Sequence, residues 1–126
     1  MSDLMLRRAT PDDTPFIRSS WLKSYLGSGF APKTSKAIYF QEFGAQIDRW
    51  MRYGDVKVAC FESVPEEVLG YSILEGNVCR WVYVKAQYRR QHIGTALVQG
   101  AEWHSLETAH GRRLAAKVFS QFNPWR

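Results

Sequence analysis

The residues of this sequence best suited to chemistry lie together in "QYRRQHIGTALV", residues 87–98, where two arginines and a histidine precede a glycine and an amphipathic run begins. The first backbone N–H groups of a helix have no partner within it, and the helix dipole places partial positive charge at that end. A strand-to-helix turn of this composition is therefore a site for phosphate, and Arg89 and Arg90 add full charges. Each exposed dipole interaction is worth only ~0.3–1 kcal/mol, so firm binding needs several N–H bonds, the arginines and a larger ligand together. A nucleotide-sized pyrophosphate meets that need. No Ser-His-Asp or Cys-His arrangement has the context of a covalent nucleophile, and no metal-ligand spacing appears.

The elements that must position this turn are legible on either side of it. A strand over Leu4–Arg8 is followed by "TPDD", which places Thr10 as N-cap, Pro11 at the first helical position and Asp13 at the third. Ile17, Trp21 and Tyr25 recur at four-residue spacing up to Gly27, and Phe40, Phe43, Ile47, Trp50 and Met51 form a second helical stripe ending at Gly54. Both stripes read as core contacts. Between them "GSGFAPKTSK", Gly27 to Lys36, is a loop and the best candidate for a mobile lid. The β-rich runs "VKVACFE", "VLGYSILE" and, after the turn pair Gly76-Asn77, "VCRWVYV" predict an antiparallel meander. Helical period returns with Ile93, Ala96, Leu97, Gly100 and Ala101 and runs to Gly111, with His104 and His110 on that helix; a last strand, "LAAKVFS", Leu114–Ser120, follows. A strand reached through a helix pairs in parallel with the strand before it, by a right-handed crossover.

"VYVKAQYRRQHIGTALV" resembles the signature of the GNAT family of N-acyltransferases, in which a strand ending in hydrophobic-x-Val leads to a turn of pattern Arg/Gln-x-x-Gly-x-Gly/Ala that opens a helix. Arg89 takes the Arg/Gln position, His92 the first Gly and Gly94 the Gly/Ala position, and the order of elements matches over almost the whole chain. The resemblance implies an α/β fold with a mixed sheet, an antiparallel meander followed by a β-α-β crossover. It also implies acetyl-CoA as co-substrate. Val82 and Val84 would meet the pantetheine arm, Gln91, His92, Ile93, Gly94 and Thr95 the pyrophosphate, and Arg89 and Arg90 the phosphate rim. His92 departs from the glycine favoured where backbone passes close to phosphate; it can still donate its N–H if its φ is helical, and its imidazole either adds a donor or points away. Asn123 matches the family's helix-opening Asn, after which the usual last helix and strands have no counterpart. Three readings of that shortening stay open: a partner subunit completes the site, the site is open to a large acceptor, or turnover has been lost.

In the family mechanism an acceptor amine attacks the thioester directly, so a neutral amine is needed. A lysine amine of pKa ~10.4 is neutral about once in 2,500 at pH 7, worth ~4–5 kcal/mol, and an α-amine near ~7.8 only ~1 kcal/mol. Several relatives carry a glutamate where this chain has Trp81. Glu75 is the replacement candidate for the base, through a water, with a solvent-facing turn carboxylate as its ordinary role. Tyr83 and Tyr88 are candidate acids for the leaving thiolate, with aromatic packing as theirs.

The 126 residues, 45% hydrophobic and 14% aromatic, suit a single globular domain over 1–126. No stretch approaches the ~18 apolar residues of a membrane span and no signal peptide opens the chain, so a cytoplasmic protein without a membrane partner is expected. Cys60 and Cys79, in strand-like runs without paired spacing, are expected reduced in the core. A net charge of +5 suits a phosphorylated cofactor, nucleic acid or an acidic surface. The lysines and arginines are spread along the chain, which argues against nucleic acid and leaves a small-molecule or protein amine as acceptor. An uncovered Leu114–Ser120 strand would favour a homodimer or larger assembly, and the alternative function is a catalytically inactive protein that keeps the fold for a binding or structural role in such an assembly.

Overall fold

The computed structural model describes residues 3–27, 35–89, 92–104 and 121–122. In chain order the elements are β1 (Leu4–Arg8), α1 (Thr14–Leu26), α2 (Lys36–Tyr53), β2 (Asp55–Phe61), β3 (Gly70–Glu75), β4 (Val78–Val84), α3 (Ile93–Leu97), β5 (Trp103–His104) and β6 (Gln121–Phe122). The strands make one mixed sheet in that same order. Pairing is antiparallel from β1 to β4 and parallel from β4 through β5 to β6. The expected meander is present; the parallel partner of β4 is Trp103–His104, within the run expected to be helical, and the Leu114–Ser120 strand expected in that place lies outside the described residues. Among the described residues no helix is long and apolar enough to cross a membrane.

The start of α1 follows the capping chemistry of "TPDD". A 3-10 turn over Pro11–Asp13 leads into the helix, and the Thr10 N–H donates to Asp13 Oδ2 at 2.7 Å. Arg7 locks this corner: its Nη1 and Nη2 donate to Asp13 Oδ2 and Oδ1 at 2.7 and 2.9 Å, and Nε and Nη2 to the Pro65 carbonyl oxygen at 3.1 and 2.9 Å. β1, the head of α1 and the β2–β3 connection thus meet on one guanidinium.

Alternation along the strands divides the core in two. Val58, Tyr71, Ile73 and Trp81 face α1 and α2, where they pack with Ile17, Trp21, Leu22 and Ile47. The Trp21 indole is stacked between those of Trp50 and Trp81, with centroids 5.4 and 5.6 Å away. Ala59 and Val84 face the other side, against Ile93 and Leu97 of α3. The stripe read on α2 holds except at one position: Phe40 is exposed, and its neighbour Tyr39 is buried with its Oη donating to the Leu22 carbonyl oxygen at 2.8 Å. Burial pushes the Tyr39 phenol up to about 12.

The helix expected to run from Ile93 to Gly111 ends at Leu97. Gly100 has a φ of +94°, which no right-handed helix contains, and the chain then enters β5. Ala101 is buried as expected, but from a loop that packs against Leu74, Cys79 and Val98. His104 is accordingly a strand residue, paired in register with Cys79. His110, the Leu114–Ser120 strand and most of the loop from Gly27 to Lys36 lie outside the described residues. Cys60 and Cys79 are free and buried, as read from the sequence, and burial pushes the Cys79 thiol up to about 12.

Candidate functional site

β4 is the axis of the site. Leu74 faces Cys79 and Ile73 faces Trp81, so Arg80 is one extra residue opposite two consecutive β3 positions, a β-bulge. The bulge resets the alternation. Cys79, before it, packs on the α3 side, and so does Val82, three residues later; Trp81 and Tyr83 turn to α1 and α2. On its other edge β4 pairs in parallel with β5, Val78 opposite Trp103 and Cys79 opposite His104. From Trp81 to Val84 β4 has β3 as its strand neighbour, and among the described residues none on the opposite edge.

The strand runs straight into the turn. After Val84 a 3-10 turn spans Ala86–Tyr88, the Tyr88 ring meets Phe61 edge-on at 5.9 Å, and Arg89 Nε donates back to the Val84 carbonyl oxygen at 2.9 Å. Arg89 is therefore held at the strand end, beside the start of α3. His92 has φ 65° and ψ 13°. The helical φ on which its N–H donation was conditioned is absent: the residue is left-handed, which is the physical reason a glycine is favoured at this position. Its carbonyl accepts the first α3 bond, from the Ala96 N–H at 3.1 Å, so the N–H groups of Ile93, Gly94 and Thr95 precede the intrahelical ladder. The Ile93 side chain is buried against Ala59, Val84 and Leu97 and anchors this first turn to the sheet. With only five residues, α3 supplies little dipole, and any anion here would rest on individual N–H groups and on arginine. Arg90, Gln91 and Asn123 lie outside the described residues.

The candidate catalytic groups are placed less simply. Glu75, at the end of β3, has its Oε1 3.4 Å from Arg80 Nε, and the Arg80 guanidinium lies over the Trp50 ring, 5.6 Å from its centroid. The bulge thus brings Glu75 next to β4 but with a cation already beside it. Tyr83 is half-buried on the α1 side, its ring against Tyr71 and Phe16 at 5.4 and 6.3 Å. Trp81 is buried in the indole stack. Arg80 was not singled out from the sequence, because "VCRWVYV" carries no sign of a bulge.

No protein-family model matches this sequence, and no curated protein matches it. Solved structures do. The apo form of YjaB from Escherichia coli superposes with a TM-score of 0.54 at 17% identity, over 76% of this chain and 62% of that one. The protein yncA of Salmonella typhimurium, solved with its cofactor acetyl-CoA, gives a TM-score of 0.58 at 16% identity, over 93% of this chain and 79% of that one. A GCN5-related N-acetyltransferase from Rhodopseudomonas palustris gives 0.54 at 18%, over 94% and 69%. This chain therefore spans less than two thirds of the length of YjaB. What it shares with these proteins is the fold: a mixed α/β sheet of the kind found in GNAT acetyltransferases.

Proposed function

We propose that this protein binds acetyl-CoA along β4 and the turn into α3, and that it transfers the acetyl group to a primary amine by direct attack. The observation that carries this reading is the left-handed backbone at His92, at the position where the GNAT signature has its first glycine. The run of β4 directly into this turn supports it, since an extended pantetheine arm pairs with backbone much as a strand does. In this reading the N–H groups of Ile93, Gly94 and Thr95, with that of Gln91, take the pyrophosphate, and left-handed His92 shapes the turn rather than donating to it. Arg89 and Arg90 sit at its rim, and Val82 and Val84 line the arm. Four residues of strand span about 13 Å, so an arm lying back from Val84 ends near the Arg80 bulge. Glu75, beside that bulge, is the candidate base and Tyr83 the candidate acid; Asn123, matched to the family's helix-opening Asn, is proposed as a further cofactor residue. Bound acetyl-CoA supplies the activated acyl group; the chain's part is to orient it and to admit a neutral amine.

The ion pair of Glu75 with Arg80, and the burial of Trp81 where relatives carry a glutamate, favour a second reading. In it the protein binds acyl-CoA without turnover, in a homodimer or larger assembly. Calorimetric titration with acetyl-CoA and CoA, at two salt concentrations and with an Arg89→Ala/Arg90→Ala variant, tests the shared part. A Kd of ~1–100 μM, about −8 to −5 kcal/mol, weakened in the variant, is expected; no binding at millimolar ligand overturns both readings. Thiol release with amines of graded pKa then separates them. Turnover is expected to favour low-pKa amines, because Trp81 stands where relatives carry a glutamate; equal rates across the series refute that preference, and no thiol release with any amine leaves the second reading.

A further inference from the structure

Ser72 stands at a junction that the site described above does not explain. It is fully buried in β3, directly opposite Val82, and on the α3 side its Oγ donates to the Leu97 carbonyl oxygen at 2.8 Å. Leu97 is the last residue of α3, and a carbonyl at a helix C-terminus has no partner within the helix. The neighbouring carbonyls are met locally: Gly94 O by the Val98 N–H at 3.1 Å and Val98 O by the Ala101 N–H at 2.9 Å. Leu97 itself is inaccessible to solvent, so its carbonyl depends on the serine. Beyond the helix the Glu102 N–H donates to the Asn77 carbonyl oxygen and Asn77 Nδ2 to Glu102 Oε2, both at 2.8 Å.

We propose that Ser72 is a positioning residue for the cofactor turn: its hydroxyl fixes the tilt of α3 relative to β4, and so the placing of the Ile93–Thr95 N–H groups against the strand. The argument rests on the acetyl-CoA reading for its functional meaning, but the pin itself is a property of the free protein. A helix of five residues is about 7.5 Å long, so freedom at its C-terminal end is felt across the whole element. Among the described residues, packing of the Ile93 and Leu97 side chains against Ala59 and Val84 is what otherwise holds it to the sheet. A buried carbonyl left without a donor also drives the helix end toward water.

Ser72→Ala is compared with Tyr71→Phe, which removes a buried hydroxyl one residue away on the opposite face. Tyr71 Oη donates to the Ile17 carbonyl oxygen at 3.1 Å and lies 2.7 Å from Ser20 Oγ, both in α1. Both variants lose some stability. In calorimetric titration with CoA, Ser72→Ala is expected to bind about tenfold more weakly than wild type and Tyr71→Phe within about twofold of it, the loss of one buried hydrogen bond. Amide exchange without ligand should quicken about tenfold at Ala96 and Val98 in Ser72→Ala and not in Tyr71→Phe. Equal CoA affinity in wild type and Ser72→Ala, or equal effects of the two substitutions on exchange, overturns the proposal. A wild type that ignores CoA sinks the cofactor reading instead, and the exchange rates still decide whether Ser72 pins α3.

Discussion

Replacing His92 with glycine should raise stability, although it deletes a side chain. At φ 65° and ψ 13° the residue occupies the left-handed region, which disfavours an L-residue by about 1–2 kcal/mol. Histidine tolerates this region better than most, so the lower part of that range applies. Glycine removes the strain but widens the unfolded ensemble, which offsets about 0.4–1 kcal/mol. The net gain is about 0–1 kcal/mol, or a rise of up to about 4 °C in Tm for a chain of 126 residues. His92 is exposed and makes no core contact that would be lost. Thermal melts followed by far-UV circular dichroism, on His92→Gly, His92→Ala and His92→Val, give the check. The expected order of Tm is Gly above His, with Val lowest, because a β-branched residue in this region is a genuine outlier. A glycine variant melting below wild type, or a valine variant matching it, would refute the reasoning and with it the account of why glycine is favoured at this position.

Three further outcomes follow from the packing. The Arg7 guanidinium, hydrogen-bonded to Asp13, holds the Asp13 carboxyl below its ordinary value. The stability it contributes is full above the unfolded pKa of about 3.9 and is lost as pH falls through the lower folded value. Asp13→Asn should flatten that part of an acid-denaturation profile and destabilise by about 1–2 kcal/mol at neutral pH, since it takes the counter-charge from a half-buried guanidinium; an unchanged profile would contradict the clasp. Neither cysteine should react with a disulfide reagent in the native protein, and both should in denaturant, because both are buried and the Cys79 thiol is pushed up to about 12; rapid native labelling would show the core to be open. Glu75→Gln should leave CoA affinity within about twofold and lower amine acetylation by about 10²–10⁴-fold if Glu75 is the base; in the reading without turnover it changes nothing measurable.

The elements legible in the sequence are those whose signal is local. "TPDD" names its own cap, because Thr10 and Asp13 satisfy each other's backbone within four residues. The α1 stripe of Ile17, Trp21 and Tyr25 is likewise a matter of spacing, and all three are buried. The end of α3 is different. Ile93, Leu97 and Ala101 are buried in two separate clusters, and their four-residue spacing arises from a short helix followed by a returning loop rather than from one long helix. Periodicity cannot tell these apart; a left-handed Gly100 can, but a glycine in sequence carries no φ.

The site divides along the same line. The turn was readable because its constraint is on the backbone: a left-handed residue is needed at position 92 whatever side chain stands there, and a motif records that need even through a histidine. The ion pair between Glu75 and Arg80 was hidden because it depends on one inserted residue. In a regular strand Cys79 and Trp81 would share a face and Arg80 would oppose them; with the bulge, Cys79 joins Val82 toward α3, and the arginine is free to reach Trp50 and Glu75 on the far side. Every side-chain assignment before the bulge is shifted in phase relative to every one after it. Chemistry on the two halves of β4 is therefore set by a single backbone irregularity, to which neither composition nor alternation is sensitive.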